Sequence, residues 1–124
     1  MQTMANLYDH ELIQELKKCA TACEHCAAEN LKHNPTGLTE RSTRLALECV
    51  SVCRAMAEEL TLDDIYAIHL RPVCMFICRS CGEEFERLAG IGSYCGKGGE
   101  ACNECAETCQ QMATKLKASG QECL

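Results

Sequence analysis

The sequence predicts an all-α fold, an antiparallel up-down-up-down four-helix bundle whose core is lined with cysteine. Thirteen of the 124 residues are cysteine, and most recur at intervals of three or four residues, which places them on one face of a helix. Four long helical stretches are separated by three segments that contain glycine, proline or capping residues. Connections this short join antiparallel neighbours. The length is that of a single domain, which we expect to cover residues 1–124.

The first two helices are separated by a cluster of helix-breaking residues. The first is expected from about Leu7 to His33, where the Asn34–Gly37 cluster ends it. The second is expected to begin near Thr39, whose side chain suits the N-cap position. It should continue to about Leu60.

The third helix is predicted to open with a motif that resembles a capping box, Thr61 followed three residues later by Asp64. It should reach Leu88 or Ala89. Because Pro72 lies inside it and cannot donate a backbone hydrogen bond, we expect a kink there, or a short helix that breaks before the main one.

The longest break is predicted over Gly90–Gly99, which contains five glycines. No strand precedes these glycines, so they do not predict a phosphate-binding loop. The fourth helix should follow and run to about Ala118.

The cysteine ladders should meet in the interior of the bundle. Counting residues from the end at which the first and third helices stop predicts three layers of thiols, at a rise of about 1.5 Å per residue. From the upper end downwards, they are Cys26, Cys81 and Cys102; then Cys23, Cys49, Cys78 and Cys105; then Cys19, Cys53, Cys74 and Cys109. The same faces continue below these layers as an apolar core of Leu12, Leu16, Met56, Leu60, Ile68, Met112 and Leu116.

A disulfide-stapled secreted domain is the competing explanation for so many cysteines. No basic segment followed by an apolar one is present at the start of the sequence, so no export signal is expected. Helix neighbours four residues apart hold their Cβ atoms about 5–6 Å apart, beyond the roughly 3.5–4.5 Å of a disulfide. Thirteen is also an odd number, which leaves one thiol unpaired in a monomer. We therefore expect reduced thiols.

Charge and hydropathy exclude two classes of partner. The formal charge of −6 gives no basic face for nucleic acid. No apolar run approaches the roughly 20 residues of a membrane span.

Clustered thiolates are ligands that favour soft metals, namely Cu(I), Zn(II) or iron–sulfur clusters. Zinc prefers closed tetrahedral sites presented by loops, whereas Cu(I) accepts two or three sulfurs from rigid helices. Roughly six ions fit if each takes two unshared thiolates, and about a dozen if sulfurs bridge. Multiple Cu(I) ions are therefore the expected cargo, and a zinc or mixed soft-metal buffer or a redox-sensing bundle are the alternatives.

Enzyme functions are not expected. The CxxxCxxC spacing also occurs in radical S-adenosylmethionine enzymes, but the chain is too short for their barrel. A thiol–disulfide oxidoreductase would need one CxxC at a helix start within a βαβ unit.

The ladders resemble those of the copper storage protein family, cysteine-rich four-helix-bundle proteins. The resemblance runs from Cys19 to Cys109 and is carried by CATACEHC at 19–26, RLALECVSVC at 44–53, CMFICRSC at 74–81 and CNECAETC at 102–109. It implies storage of Cu(I) in the cytosol, with the eleven ladder cysteines as ligands. Several members carry further cysteines along the ladders. At those positions this chain has Leu16, Asn30, Ser42, Arg71, Phe85, Gly98 and Met112. The resemblance therefore implies a smaller capacity for copper in this chain.

Residues beyond the ladders are weaker candidates. Cys95, one heptad before Cys102, is a twelfth candidate ligand at the mouth or else an exposed thiol, while Cys123 is expected to be free in the tail. Met56 and Met112 are expected to pack in the core rather than bind copper. His33 is expected to interact with the helix dipole rather than with metal.

The segment Val73–Ile77 is apolar on every side, which predicts burial on every side. We therefore expect a homo-oligomer that uses the outer face of the third helix. A copper chaperone is a further candidate partner for delivery of the ion.

Overall fold

A bundle of four antiparallel helices forms the molecule. The computed structural model describes residues 4–33, 37–62, 66–88 and 96–118. The helices are α1 (Met4–His33), α2 (Gly37–Thr61), α3 (Tyr66–Arg87) and α4 (Gly96–Ala118). Each helix packs against the next one in the chain, and α4 also packs against α1. The predicted all-α bundle is confirmed over the described residues.

The start of α2 differs from the prediction. The helix begins at Gly37, so Thr39 is its third residue and not its N-cap. There the carbonyl of Thr39 accepts hydrogen bonds from the hydroxyls of Ser42 at 3.1 Å and Thr43 at 2.9 Å. Both hydroxyls therefore bond within α2 itself.

The start of α3 also departs from the prediction. Thr61 is the last residue of α2, and its hydroxyl donates to the carbonyl of Ala57 at 2.8 Å; Asp64 lies outside the described residues. The helix is continuous across Pro72, so the expected short helix before the main one is wrong. Pro72, which has no backbone N–H to donate, is exposed. The missing hydrogen bond therefore lies on the side of α3 that faces solvent.

The glycine-rich break ends earlier than predicted, because α4 already begins at Gly96. Gly99 is buried, and a Cβ added there would lie 3.4 Å from Cβ of Phe85. A Cβ on Gly82 of α3 would lie 2.5 Å from Oδ1 of Asn103 and 3.5 Å from Cβ of Cys102. These two glycines let α3 and α4 approach closely at the level where Cys102 enters the core.

One buried cluster joins side chains of all four helices. Its lower end, away from the α1–α2 connection, is apolar, as predicted for Leu12, Leu16, Met56 and Leu60, whereas Ile68 is only half-buried. The side chains of Met112 and Leu116 lie outside the described part. None of the helices, over the residues described, has the length and apolarity that crossing a bilayer requires.

Candidate metal centre

The middle and upper part of the core is made of sulfur. All eleven ladder cysteines have an exposed fraction of 0%. Ten of them are free thiols: Cys19, Cys23, Cys49, Cys53, Cys74, Cys78, Cys81, Cys102, Cys105 and Cys109. The helical spacing read from the sequence therefore turns every ladder inward, as predicted.

Sulfurs of different helices touch in the upper half of this core. Sγ of Cys19 lies 3.6 Å from Sγ of Cys49 and 3.7 Å from that of Cys102. Sγ of Cys23 lies 3.4 Å from Cys102 and 3.9 Å from Cys81. Cys102 of α4 is therefore the sulfur at which contacts from α1 and α2 converge, since it also lies 4.0 Å from Cys49.

The contacts continue downwards through α2 and α3. Sγ of Cys49 lies 3.8 Å from the sulfurs of both Cys53 and Cys78. Cys53 and Cys78 are themselves 3.8 Å apart. The sulfurs thus form one connected column.

Three groups within the column have all their sulfurs within 4.8 Å of one another. They are Cys19, Cys23, Cys49 and Cys102; Cys19, Cys53, Cys78 and Cys105; and Cys74, Cys105 and Cys109. Cys19 belongs to the first two groups and Cys105 to the last two. In the order given, we call the three sets the upper, middle and lower groups. Each of the two shared sulfurs links one group to the next.

The predicted arrangement in three flat layers is wrong. Cys19 was assigned to the lowest layer but contacts Cys49 and Cys102, which were assigned to the two layers above it. Counting residues from the helix ends assumes that equal counts face each other, whereas packed helices insert the side chains of one between those of the next. Interleaving brings Cys19, Cys49 and Cys102 each within contact of sulfurs from at least two other helices.

Two of the described ladder cysteines, Cys81 and Cys26, do not belong to these groups. Cys81 is buried at the upper end, with Cys23 as its sulfur contact. Cys26 is buried but is disulfide-bonded, contrary to the expectation of reduced thiols. The spacing argument covered neighbours on one helix, and Cys26 is not paired with its ladder neighbours, which are free thiols. Cys95 and Cys123 lie outside the described residues.

A polar network lies above the sulfurs. The amide of Asn30 donates to the hydroxyls of Ser42 at 2.9 Å and Thr43 at 3.2 Å, and lies 3.9 Å from Sγ of Cys26. Asn30 and Ser42 are buried. The column is therefore followed at this end by hydrogen-bonding oxygen and nitrogen atoms.

An ion-pair group ties α2 to α3 at the same end. Glu84 has an exposed fraction of 5% and accepts hydrogen bonds from Arg87 at 2.7 and 3.0 Å, with Arg41 at 3.5 Å. The hydrogen bonds from Arg87 lower the pKa of Glu84 from its ordinary value of 4.5, although burial works in the opposite direction. Glu84 is therefore ionised at neutral pH.

Arg71 is buried, although no burial was predicted for it from the sequence. Its exposed fraction is 6%, and it shares the inner face of α3 with Ala67, Cys74 and Cys78, all buried. The signal was present in the sequence, since residue 71 stands three positions before Cys74 and seven before Cys78, which is the ladder spacing.

The thiols perturb one another because they are crowded and buried. Hydrogen bonding with Cys102 lowers the pKa of Cys19 and Cys49, and hydrogen bonding with Cys105 lowers that of Cys74. The pKa of Cys102 is raised, first by its hydrogen bond with Cys19 and further by burial. A few thiolates are thus stabilised by neighbours that keep their protons. Soft cations entering the column would take the place of those protons.

Histidine does not contribute to the column. All four histidines of the chain, His10, His25, His33 and His69, are exposed. His33 lies 3.1 Å from Glu29 one turn earlier on α1. The described metal-binding groups therefore consist of sulfur alone.

The family model for copper storage proteins matches residues 5–114. The chain belongs to the copper storage protein family. This finding confirms the resemblance read from the cysteine ladders. No curated protein sequence matches the chain.

Solved copper storage proteins have the same fold. A cytosolic copper storage protein from Streptomyces lividans, loaded with five coppers, superposes with a TM-score of 0.83 at 28% identity and covers 89% of this chain and 95% of its own. A structure of the copper storage protein from Streptomyces lividans loaded with ten copper equivalents gives 0.81 at 29% identity, covering 86% and 84%. The apo copper storage protein 3 from Bacillus subtilis gives 0.76 at 27% identity, covering 84% and 97%.

Proposed function

We propose that this member of the copper storage protein family stores Cu(I) in the cytosol, with many ions bound by the thiolates of the sulfur column. The observation that carries the proposal is the sharing of Cys19 and Cys105 between groups, which makes the column continuous. A continuous column suits a store of many ions. We propose the ten free ladder thiols as ligands, joined by Cys26 once it is reduced and by Cys95.

The distances between sulfurs suit thiolate-bound metal. A Zn–S bond of about 2.3 Å places tetrahedral sulfurs about 3.8 Å apart, so the four-sulfur groups fit zinc in size. Separate zinc sites need four ligands each, however, and the upper and middle groups share Cys19 while the middle and lower groups share Cys105. Cu(I) accepts two or three sulfurs, so shared thiolates favour Cu(I) over zinc.

Loading exchanges protons for copper. Each thiol that binds loses its proton to solvent as a Cu–S bond forms, without oxidation of sulfur or metal. Because the thiols are fully buried, the uncompensated thiolates are costly, and the incoming cation supplies the compensating charge.

The test is an anaerobic titration of the fully reduced protein with Cu(I) in the presence of a chromogenic competing chelator. Ten free thiols at two unshared sulfurs per ion give about five ions, and bridging raises the number towards ten. Five or more ions withheld from the competitor support the store. A parallel titration with Zn(II) is the control, and one copper ion or none, with zinc bound preferentially, would overturn the proposal in favour of a zinc buffer.

We also propose that the protein is not an enzyme, that it forms a homo-oligomer, and that a copper chaperone delivers its cargo. The oligomer proposal is supported by Val73 and Phe76 on the outer face of α3, which are 49% and 72% exposed. Light scattering at micromolar concentration should give more than one chain per particle, and Phe76→Glu should shift the particle towards a single chain. A single-chain mass for the unaltered protein would refute the oligomer and leave the storage proposal standing.

A further inference from the structure

The lower group of the sulfur column ends against a buried positive charge. Cys74, Cys105 and Cys109 form this group, and Arg71 lies one helical turn below Cys74 on the same inner face of α3. Of the buried polar and charged residues in the described part of the chain, namely Asn30, Ser42, Arg71 and Glu84, Arg71 is the one cation. A guanidinium remains charged at any physiological pH.

Helical spacing sets this charge beside the lower group. Residues three apart on a helix hold their Cβ atoms about 5–6 Å apart, and Arg71 and Cys74 are both buried. A positive charge beside the group favours negative charge at its sulfurs.

Metal–thiolate groups of this kind carry net negative charge. Three thiolates with two Cu(I) ions sum to −1, and with one Cu(I) ion to −2. Such a charge in a fully buried position is costly unless a nearby cation offsets it. The neighbouring core towards the lower end is apolar, with Leu12, Leu16 and Met56 buried, so it offers no other compensation from those residues.

We propose that Arg71 is the buried counter-ion of an anionic copper–thiolate cluster formed by Cys74, Cys105 and Cys109. The inference rests on the proposed storage function and deepens it. In this role Arg71 does not contact copper but stabilises the loaded lower group through its charge. The lower group therefore binds its copper ions more tightly than an equally buried group without a nearby cation.

The test compares Arg71→Met, which removes the charge from a side chain of similar length, with Arg71→Lys, which keeps the charge. Reduced proteins are titrated anaerobically with Cu(I) against chelators of graded strength, after thermal unfolding has shown that each apo variant is folded at the titration temperature. We expect Arg71→Met to weaken the most strongly held ions by about tenfold or more, as for loss of one buried charge interaction, and Arg71→Lys to restore most of that affinity.

Two controls locate the effect. Arg79→Met removes the same charge from the exposed outer face of α3, where solvent screens it, and should change copper affinity less than about twofold. In a Cys109→Ser background the lower group is already incomplete, so Arg71→Met should add little further weakening.

The outcomes separate this inference from the proposed function. If wild-type protein holds many ions and Arg71→Met holds them with unchanged affinity, the counter-ion is refuted and storage stands. If Arg71→Lys is as weak as Arg71→Met, the charge is not what matters and the inference also fails. If wild-type protein holds no copper against the chelators, the storage function itself fails.

Discussion

Cys105 and Cys81 allow a direct test of whether shared sulfurs set the copper capacity. Both are buried free thiols with an exposed fraction of 0%. Cys105 belongs to both the middle and the lower group, whereas Cys81 belongs to neither and touches Cys23 at 3.9 Å. A sulfur that serves two groups holds at least one ion in each, so we expect Cys105→Ser to lose about two ions and Cys81→Ser about one at most.

The substitution should leave the apo bundle folded. Serine is close to cysteine in size, and a buried hydroxyl with imperfect partners costs about 1–2 kcal/mol, a cost that both variants share. Each reduced variant is checked by thermal unfolding and then titrated anaerobically with Cu(I) against the chromogenic chelator. Equal losses from both variants, or a larger loss from Cys81→Ser, would refute the reasoning that shared thiolates determine capacity.

Two further predictions concern the stability of the reduced apo protein in urea unfolding. Gly82→Ala should destabilise it by about 1 kcal/mol relative to Gly99→Ala. The new Cβ at Gly82 would lie 2.5 Å from Oδ1 of Asn103, whereas the nearest contact of a Cβ at Gly99 is 3.4 Å. A Gly82→Ala variant more stable than Gly99→Ala would contradict the close approach of α3 and α4. Glu84→Gln should cost about 1 kcal/mol at pH 7. Because Arg87 depresses the pKa of Glu84 below 4.5, that contribution is fully present above pH 4.5 and is lost as the pH falls through the folded-state value. A difference from wild type that does not shrink as the pH is lowered below 4.5 would contradict it.

Helical spacing was sufficient to predict which cysteines face the core, because a residue's direction on a helix follows from its position alone. It was not sufficient to predict which sulfurs touch. The neighbours of Cys19 depend on how far one helix is displaced along the next, and that displacement is decided by packing between helices. The same limit applies to the close approach of α3 and α4 at Gly82. It applies also to the start of α4 at Gly96, inside a glycine-rich segment that was expected to be a break.

The surroundings of two other residues depend on tertiary packing. Arg71 occupies a ladder position, yet arginine is usually a surface residue, and no prediction was made for its burial. Cys26 was expected to be a free thiol because its helix neighbours are too far apart to pair, yet it is disulfide-bonded. Pairing across different parts of a chain depends on tertiary geometry, which spacing along one helix does not describe.

The sulfurs that meet in the column come from distant parts of the chain. Cys53 and Cys78 are 25 residues apart, Cys23 and Cys81 58 residues, and Cys19 and Cys102 83 residues. A metal ion shared by such a pair is a cross-link that closes a loop, and each loop of this length restricts the unfolded chain by about 3–5 kcal/mol in the chain-entropy model. As it fills, the protein should become progressively harder to unravel. Cellular proteases are then expected to degrade empty copies first and to spare full ones, so that protein turnover itself conserves the stored metal.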